Sequence, residues 1–321
     1  MNGSPRTEQL EWEARLAKPI ALSAFAVVAS LLAAQLAPLL LRSGEAIGVG
    51  PAGALLTIDG QPTTFLLVAV LAVLPILLLL PLLLFLYKAA KFRVPELLPA
   101  ARVLAVLGAI LFAATGIGGA VGQISAAKEF APTPAAADYA ALPSEDRLPP
   151  RFGEPIPVTP ERTAAEQVAT ETIAAQPSLE IITTVQLAGS LSLGFGVILI
   201  SLFAMRAGLL SRFMGYIGIA LGLFLGLTAV LANTALPTLF DPKIIQMFWA
   251  GAIGLILLDR WPNGRGTAWS TGMAEPWPSA AEQRAAFDKR KAAELAAKAS
   301  PPSRNGGDAA VAGKRKRKKR G

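Results

Sequence analysis

Six long apolar runs, none of which contains Asp, Glu, Lys or Arg, constrain the fold of this chain more than any other feature. The runs cover residues 19–41, 65–87, 104–124, 185–205, 213–231 and 244–258. About 20 apolar residues in a helix cross the roughly 30 Å hydrocarbon core of a bilayer. A β-barrel is excluded because barrel strands alternate polar and apolar residues, which these runs do not. The sequence therefore predicts an all-α protein, a polytopic transmembrane helical bundle with six spans.

The last run is the shortest, and the residues before it extend the predicted helix. Asp241 supplies an N-cap and Pro242 suits the first helical position, so the sixth span is predicted over 242–258. An interfacial or re-entrant helix is the alternative for this segment. The first run is too long for the apolar part of a signal peptide, so an uncleaved span is predicted there.

Residue types that are missing from the chain exclude most enzyme classes. The sequence contains no His and no Cys, so it offers no disulfide, no thiolate nucleophile and no imidazole for metal, haem or general-base chemistry. No acidic residue lies within the apolar runs, where proton-coupled transport would need one. We expect no catalytic residue, no cofactor and no metal site. A lipid-headgroup enzyme that uses exposed acids at the membrane surface stays a minor alternative.

Lys and Arg are distributed unevenly between the connections. If both termini are cytoplasmic, 24 basic residues lie inside and 6 outside. By the positive-inside rule, this asymmetry predicts a multi-pass membrane protein with both termini in the cytoplasm. Residues 1–18 then form a cytoplasmic tail, residues 125–184 an extracytoplasmic loop, and residues 259–321 the cytoplasmic C-terminal tail.

The extracytoplasmic loop is rich in proline and acidic. Residues 125–184 contain nine Pro, and nine Asp and Glu against four Lys and Arg. Proline at this density favours extended chain over regular structure, and one short helix is predicted over 163–176. Two interpretations remain open: a poorly ordered surface loop, or a lid or partner-binding segment over the outer end of the bundle.

Glycines recur at four-residue spacing within the third and fifth spans. This spacing lets helices approach closely in a membrane. We predict that these glycines form helix-packing faces, either inside the bundle or in a homo-oligomer: Gly118, Gly122, Gly215, Gly218, Gly222 and Gly226.

Two glutamines and two prolines motivate a transport alternative. Gln123 and Gln186 are predicted near the outer face, where they would bond between helices or line a polar cavity. Pro75 and Pro81 lie inside the second run and favour a kink, a feature from which transporters build substrate sites.

The C-terminal tail ends in seven consecutive basic residues. A capping box at Ser279–Glu282 predicts a helix over 279–299, and a flexible linker comes after it over 303–313. The basic residues predict binding to anionic lipid headgroups, with nonspecific nucleic-acid binding or no dedicated role as alternatives. They are Lys314, Arg315, Lys316, Arg317, Lys318, Lys319 and Arg320.

One segment carries a resemblance. The run Met205-Arg-Ala-Gly-Leu-Leu-Ser-Arg-Phe-Met-Gly-Tyr-Ile-Gly218 and the glycine-spaced residues after it resemble a turn in uncharacterised six-span integral membrane proteins of high-GC Gram-positive bacteria. In those proteins an arginine-glycine-leucine turn leads into a glycine-rich fifth helix. The resemblance implies a bacterial inner-membrane location and no known activity.

These observations favour a non-enzymatic membrane protein that serves as a scaffold or accessory subunit. The uncharged spans, the glycine faces and the charged appendages motivate this interpretation. The alternative is a small-molecule permease with a site among kinked helices. A membrane protein partner or a second copy of the chain is compatible with both hypotheses.

Overall fold

A computed structural model describes residues 4–37, 50–143, 159–231, 242–262, 264–278 and 280–299. The regular structure in these ranges is helical, without a strand. The chain divides into two compact units, Met1–Trp277 and Pro278–Gly321. The helices of the first unit are α1 (Pro5–Leu36), α2 (Pro51–Gly60), α3 (Pro62–Arg93), α4 (Pro99–Phe130), α5 (Pro134–Ala141), α6 (Pro160–Ala174), α7 (Pro177–Arg206), α8 (Arg212–Leu231), α9 (Pro242–Leu257) and α10 (Ala268–Thr271).

Four of the described helices, α1, α3, α4 and α7, are long and apolar enough to cross a membrane. Helices α8 and α9 are apolar but shorter. The structure thus confirms an all-α helical bundle whose longest helices have membrane-spanning length. Helix α3 contains Pro75 and Pro81 in its interior.

The long helices extend beyond the apolar runs. Helix α1 begins at Pro5, inside the segment expected to be a tail, because Ser4 caps it by accepting a hydrogen bond from the Thr7 N–H. Its described part ends at Ala37, so residues 38–41 of the predicted first span lie outside the described residues. At 32 residues, α1, α3 and α4 are each about 48 Å long and project beyond a 30 Å hydrocarbon core.

Many of these helices start at a proline. In the described residues, eight helices, including α1 and α3, have proline at their first position. Proline suits this position because its missing N–H would have no intrahelical partner there and its fixed φ is already helical.

The core of the bundle is organised around α7 and α1. Helix α7 packs between α4 and α8, and α1 packs against α3 and α9. Consecutive long helices run in opposite directions, so the start of α1 lies beside the end of α3. We call the end that carries Trp12, Trp261, Trp269 and Trp277 the tryptophan end, and the opposite end the cap end.

Helices α2, α5 and α6 pack with the last turns of α4 at the cap end. They bury a second apolar core, composed of Ala52, Leu55, Ile58, Ala126, Ala127, Phe130, Ala136, Tyr139, Ala165 and Ala169. Glu166 of α6 accepts a 2.9 Å hydrogen bond from the Ala52 N–H at the start of α2. A carboxylate is favourable there because it meets the positive end of the helix dipole.

This cap differs from the loop expected over 125–184. Helix α6 covers Pro160–Ala174, close to the predicted 163–176, but α5 was not predicted. Thr133 and Thr159 cap the two helices, and the prolines next to them occupy first helical positions. Residues 144–158 of the loop lie outside the described residues.

The second unit contains one described helix, α11 (Ala280–Ala299). Its large apolar side chains, Phe287 and Leu295, are exposed. Ser279, the predicted capping residue, and the basic run 314–320 both lie outside the described residues.

Candidate functional site at the tryptophan end

A buried ion pair joins the start of α1 to the end of α3. Arg93 donates from both terminal nitrogens to the Glu13 carboxylate, at 2.6 Å to Oε1 and 2.9 Å to Oε2. The Arg93 side chain has no exposed area, and 4% of the Glu13 side chain is exposed. Gln9 Nε2 donates a further 2.9 Å hydrogen bond to Glu13. Such a pair is costly to desolvate and holds together only when its remaining polar atoms are satisfied.

The remaining donors of Arg93 bind backbone carbonyls. Arg93 Nε and Nη2 donate to the Ala268 carbonyl at 3.1 and 2.8 Å, and Nη1 also donates to the Ala89 carbonyl at 3.0 Å. Ala268 is 175 residues from Arg93 in the sequence. The guanidinium therefore connects two long helices and the short helix α10 after the bundle.

Stacked aromatic rings lie over this pair. The Trp12 and Phe85 rings stack with centroids 5.2 Å apart, and Phe85 stacks on Trp269 at 6.0 Å. Arg93 lies 5.8 Å from the centre of the Trp269 ring. The rings exclude water from the ion pair, which strengthens its electrostatic attraction.

The turn between α7 and α8 binds the same C-terminal segment. Trp269 Nε1 donates to the Leu209 carbonyl at 3.0 Å, and Trp277 Nε1 donates to the Gly208 carbonyl at 3.2 Å. Gly208 has φ +78°, a left-handed conformation that favours glycine, and a Cβ there would collide with the Glu275 carbonyl. We call Arg93, Trp269, Trp277 and turn 207–211 the C-terminal clamp.

Glu275 adds an electrostatic element to the clamped segment. Hydrogen bonds from the Thr267 and Thr271 side chains to its carboxylate lower its pKa below the usual value, and a small desolvation effect opposes them. The ionised form of Glu275 is therefore the form that helps to hold residues 267–275 together.

The hydrogen bonds of Arg93 are all made to other parts of the protein. Arg93 has its donors directed at Glu13 and two carbonyls, so none is left to polarise a substrate. Among the described residues, no group of three or more His, Cys, Asp or Glu could hold a metal ion.

The predicted glycines lie at close helix contacts. A Cβ on Gly122 would lie 2.6 Å from Leu179 Cδ2, and one on Gly118 would lie 3.3 Å from Ile182 Cδ1, so both face α7. On α8, a Cβ on Gly215 would lie 2.8 Å from Met205 Cβ, and one on Gly218 would lie 2.8 Å from Trp249 Nε1.

The remaining predicted glycines meet the backbone of α7. A Cβ on Gly222 would lie 2.6 Å from the Gly194 carbonyl oxygen, whereas Gly226 is more open, with Leu191 Cδ2 at 3.8 Å. On the facing side, a Cβ on Gly194 of α7 would lie 2.5 Å from the Gly222 oxygen. Helices α7 and α8 thus touch through their main chains.

The two predicted cavity residues do not meet in an enclosed site. Gln123 on α4 and Gln186 on α7 are both exposed. The structure gives no hydrogen bond between these two described residues, although α4 and α7 pack together. Their side chains point out of the bundle because the inward faces of both helices carry glycine and alanine at the contact.

Glu13 and the clamp tryptophans were missed from the sequence. A signal for Glu13 exists: it lies on the same helical face as Ala17, Ala21 and Ala24, all of which are buried. An acid on a buried small-residue face predicts a buried basic partner. The sequence pattern that could have predicted the clamp is weaker: Trp261, Trp269 and Trp277 are equally spaced.

No family model matches the chain, and no match was found among curated proteins or among solved structures.

Proposed function

We propose that the protein is a non-enzymatic, six-span scaffold or accessory subunit of a bacterial plasma membrane. The C-terminal clamp is the observation that carries this proposal. The buried pair, the ring stack and two indole hydrogen bonds all act on residues 264–277. A bundle that holds residues 264–277 by so many contacts is suited to a scaffolding role.

The six-span topology rests on the lengths and directions of the helices. Helix α8 has 20 residues and α9 has 16, which correspond to about 30 and 24 Å. Helix α8 packs along α7 and α9 along α1, both of spanning length. With six spans, the two ends of the first unit lie on the same side, as the contact of Arg93 with Ala268 requires.

Charge supports a cytoplasmic tryptophan end. Among the described residues of the first unit, the helix ends and connections at the tryptophan end carry eleven Lys and Arg and six Asp and Glu. Those at the cap end carry three Lys and Arg and seven Asp and Glu. The positive-inside rule then puts both termini in the cytoplasm and the cap outside. This layout agrees with the resemblance to six-span proteins of high-GC Gram-positive bacteria.

The permease alternative gains no support from its two glutamines. Among the described residues, Gln123 and Gln186 are both exposed and share no hydrogen bond, whereas Pro75 and Pro81 lie inside α3, where each removes a backbone hydrogen bond.

Two experiments test this proposal separately. Reporter fusions after Leu258 and at Ala135 are expected on opposite sides of the membrane, and the same side for both would refute the topology. For the role, chemical crosslinking in native membranes followed by purification compares the wild-type chain with Trp269→Ala and Trp277→Ala. Arg212→Gln, an exposed residue at the same end, is the control.

A scaffold predicts that crosslinked partners are lost in the clamp variants and kept in the control. Identical partners in all four proteins would refute the role of the clamp. Solute uptake by proteoliposomes that contain the purified protein would refute the scaffold in favour of a permease.

The basic residues Lys314–Arg320 extend this proposal to the tail. Each Lys or Arg near an anionic leaflet contributes about 1 kcal/mol, so we expect the basic run to bind that leaflet. Vesicle flotation tests this binding with the tail peptide 300–321 in the absence of detergent. The peptide is compared with a variant in which all seven basic residues are replaced by Gln. Preference for RNA over anionic vesicles would favour the nucleic-acid alternative.

A further inference from the structure

A groove between α1 and α3 opens at the side of the bundle near the tryptophan end. Its cavity volume is about 350 Å³, in the range of small-ligand sites. On α1 the lining residues are Trp12, Leu16 and Ile20, which lie along one helical face at four-residue spacing. On α3, Leu84 and Lys88 line the opposite wall.

The polarity of the groove changes along its length. Because α1 and α3 are antiparallel, Trp12 and Lys88 lie at its outer end, whereas Ile20 and Pro81 lie at its inner end. Ile20 follows Trp12 by eight positions on α1, which corresponds to a depth of about 12 Å. The inner part is therefore apolar and the outer part aromatic and basic, as in a site for an amphiphile.

Two basic residues stand at the outer end without an acidic partner. Lys88 Nζ lies 3.9 Å from the centre of the Trp12 ring. Arg102, near the start of α4, completes the lining. Within the described residues, neither Lys88 nor Arg102 has a carboxylate at ion-pair distance, and the groove lining contains no Asp or Glu.

We propose that this groove binds one anionic glycerophospholipid, with its phosphate between Lys88 and Arg102 and one acyl chain along Leu16, Ile20 and Leu84. The membrane supplies this occupant, because both walls belong to helices of spanning length. Trp12 suits the level of the headgroups, where indole rings are favoured. Basic pockets between membrane helices recognise anionic headgroups through the same charge complementarity.

The site is distinct from the basic run 314–320, and it requires only that α1 and α3 cross the membrane. It holds a whole lipid by its chain and its phosphate, whereas a basic tail responds to surface charge alone. A soluble phosphate compound would use Lys88 and Arg102 but not the apolar wall, so the two sources of phosphate are separable.

The test uses the full-length protein in phosphatidylcholine vesicles and a brominated phospholipid that quenches tryptophan fluorescence on contact. Brominated phosphatidylglycerol is compared with brominated phosphatidylcholine of the same chains. Trp12→Phe identifies the part of the quenching that comes from the groove. Lys88→Gln and Arg102→Gln remove the proposed phosphate contacts, and Arg212→Gln removes an exposed charge elsewhere at the same end.

The expected result is a preference for the anionic lipid at Trp12 of about 25-fold, from two contacts of about fivefold each. Each single substitution lowers it about fivefold, the double substitution abolishes it, and Arg212→Gln leaves it unchanged. The proposal is overturned by equal quenching from both lipids, by an equal loss in Arg212→Gln, or by an undiminished preference in Trp12→Phe. Competition by glycerol 3-phosphate that removes the preference would overturn it in favour of a soluble anion.

Discussion

Removing the charge of Arg93 should destabilise the bundle more than any substitution at its exposed charges. Arg93→Gln removes both hydrogen bonds to Glu13 and leaves that carboxylate 4% exposed, with Gln9 as its neighbouring donor. It also leaves the Ala268 carbonyl without the two bonds from the guanidinium. Loss of one partner of a buried pair costs about 3–5 kcal/mol.

Glu13→Gln is expected to cost less than Arg93→Gln. The guanidinium keeps the Ala268 and Ala89 carbonyls as acceptors when Glu13 loses its charge. The double variant removes both buried charges, so it should be more stable than the sum of the two single losses predicts. We expect a coupling free energy of about 2 kcal/mol in this cycle, within the range for residues in contact.

The free energies of unfolding are measured by equilibrium unfolding in mixed dodecyl maltoside and dodecyl sulfate micelles. Circular dichroism follows the loss of helix. Arg212→Gln is the control, because its side chain is exposed and outside the groove, and exposed substitutions change stability by about 0.5 kcal/mol or less. A cost below about 1 kcal/mol for Arg93→Gln would refute the argument, as would additive losses in the double variant.

Three further predictions concern single contacts elsewhere in the first unit. Gly222→Ala should destabilise the bundle by about 1–3 kcal/mol, because the added Cβ would lie too close to the Gly194 carbonyl oxygen. Gly226→Ala should be tolerated, because its surroundings are more open. The same unfolding assay compares the two variants, and equal effects would contradict the geometry. Trp269→Phe keeps the ring stack but loses the hydrogen bond to the Leu209 carbonyl, so it should cost about 1 kcal/mol; a larger loss in hydrogen-exchange protection around residue 269 than around α4 checks this. The lowered pKa of Glu275 means that its contribution is present above the ordinary carboxyl pKa and is lost as pH falls through the lowered value; the fluorescence of the clamped segment should change in that acidic window, and the change should be absent in Glu275→Gln.

The helices of the bundle were predictable from the sequence because the residues of each apolar run are enough to make that run helical in a membrane. Each uncharged run of about 20 residues has to be helical in a bilayer, and the four described helices of spanning length contain the predicted runs 65–87, 104–124 and 185–205 and residues 19–36 of the first run. The ends of the helices were less predictable. Residues 5–18 have the composition of a charged tail, but the contact of Glu13 with Arg93, 80 residues away, stabilises them as helix.

The cap and the clamp depend on contacts between distant segments. Helix α2 has ten residues, too few for stability alone, and gains it from Phe130 and Ala165 in other helices. The stretch around Trp269 and Trp277 contains glycine and proline and shows no helical period. Its order comes from carbonyls of turn 207–211, which no local pattern reveals.

The prolines at the helix starts also limit how the helices slide along their own axes. An apolar helix in hydrocarbon has little to fix its axial register, since a shift by one turn replaces one apolar residue by another. A proline at the first position prevents the helix from growing backwards, because its ring would clash with the preceding turn. In α3 and α4, Pro62 and Pro99 thus fix the residue at which each helix begins, and so the distance along the helix axis from that start to Arg93 and to the glycines of α4.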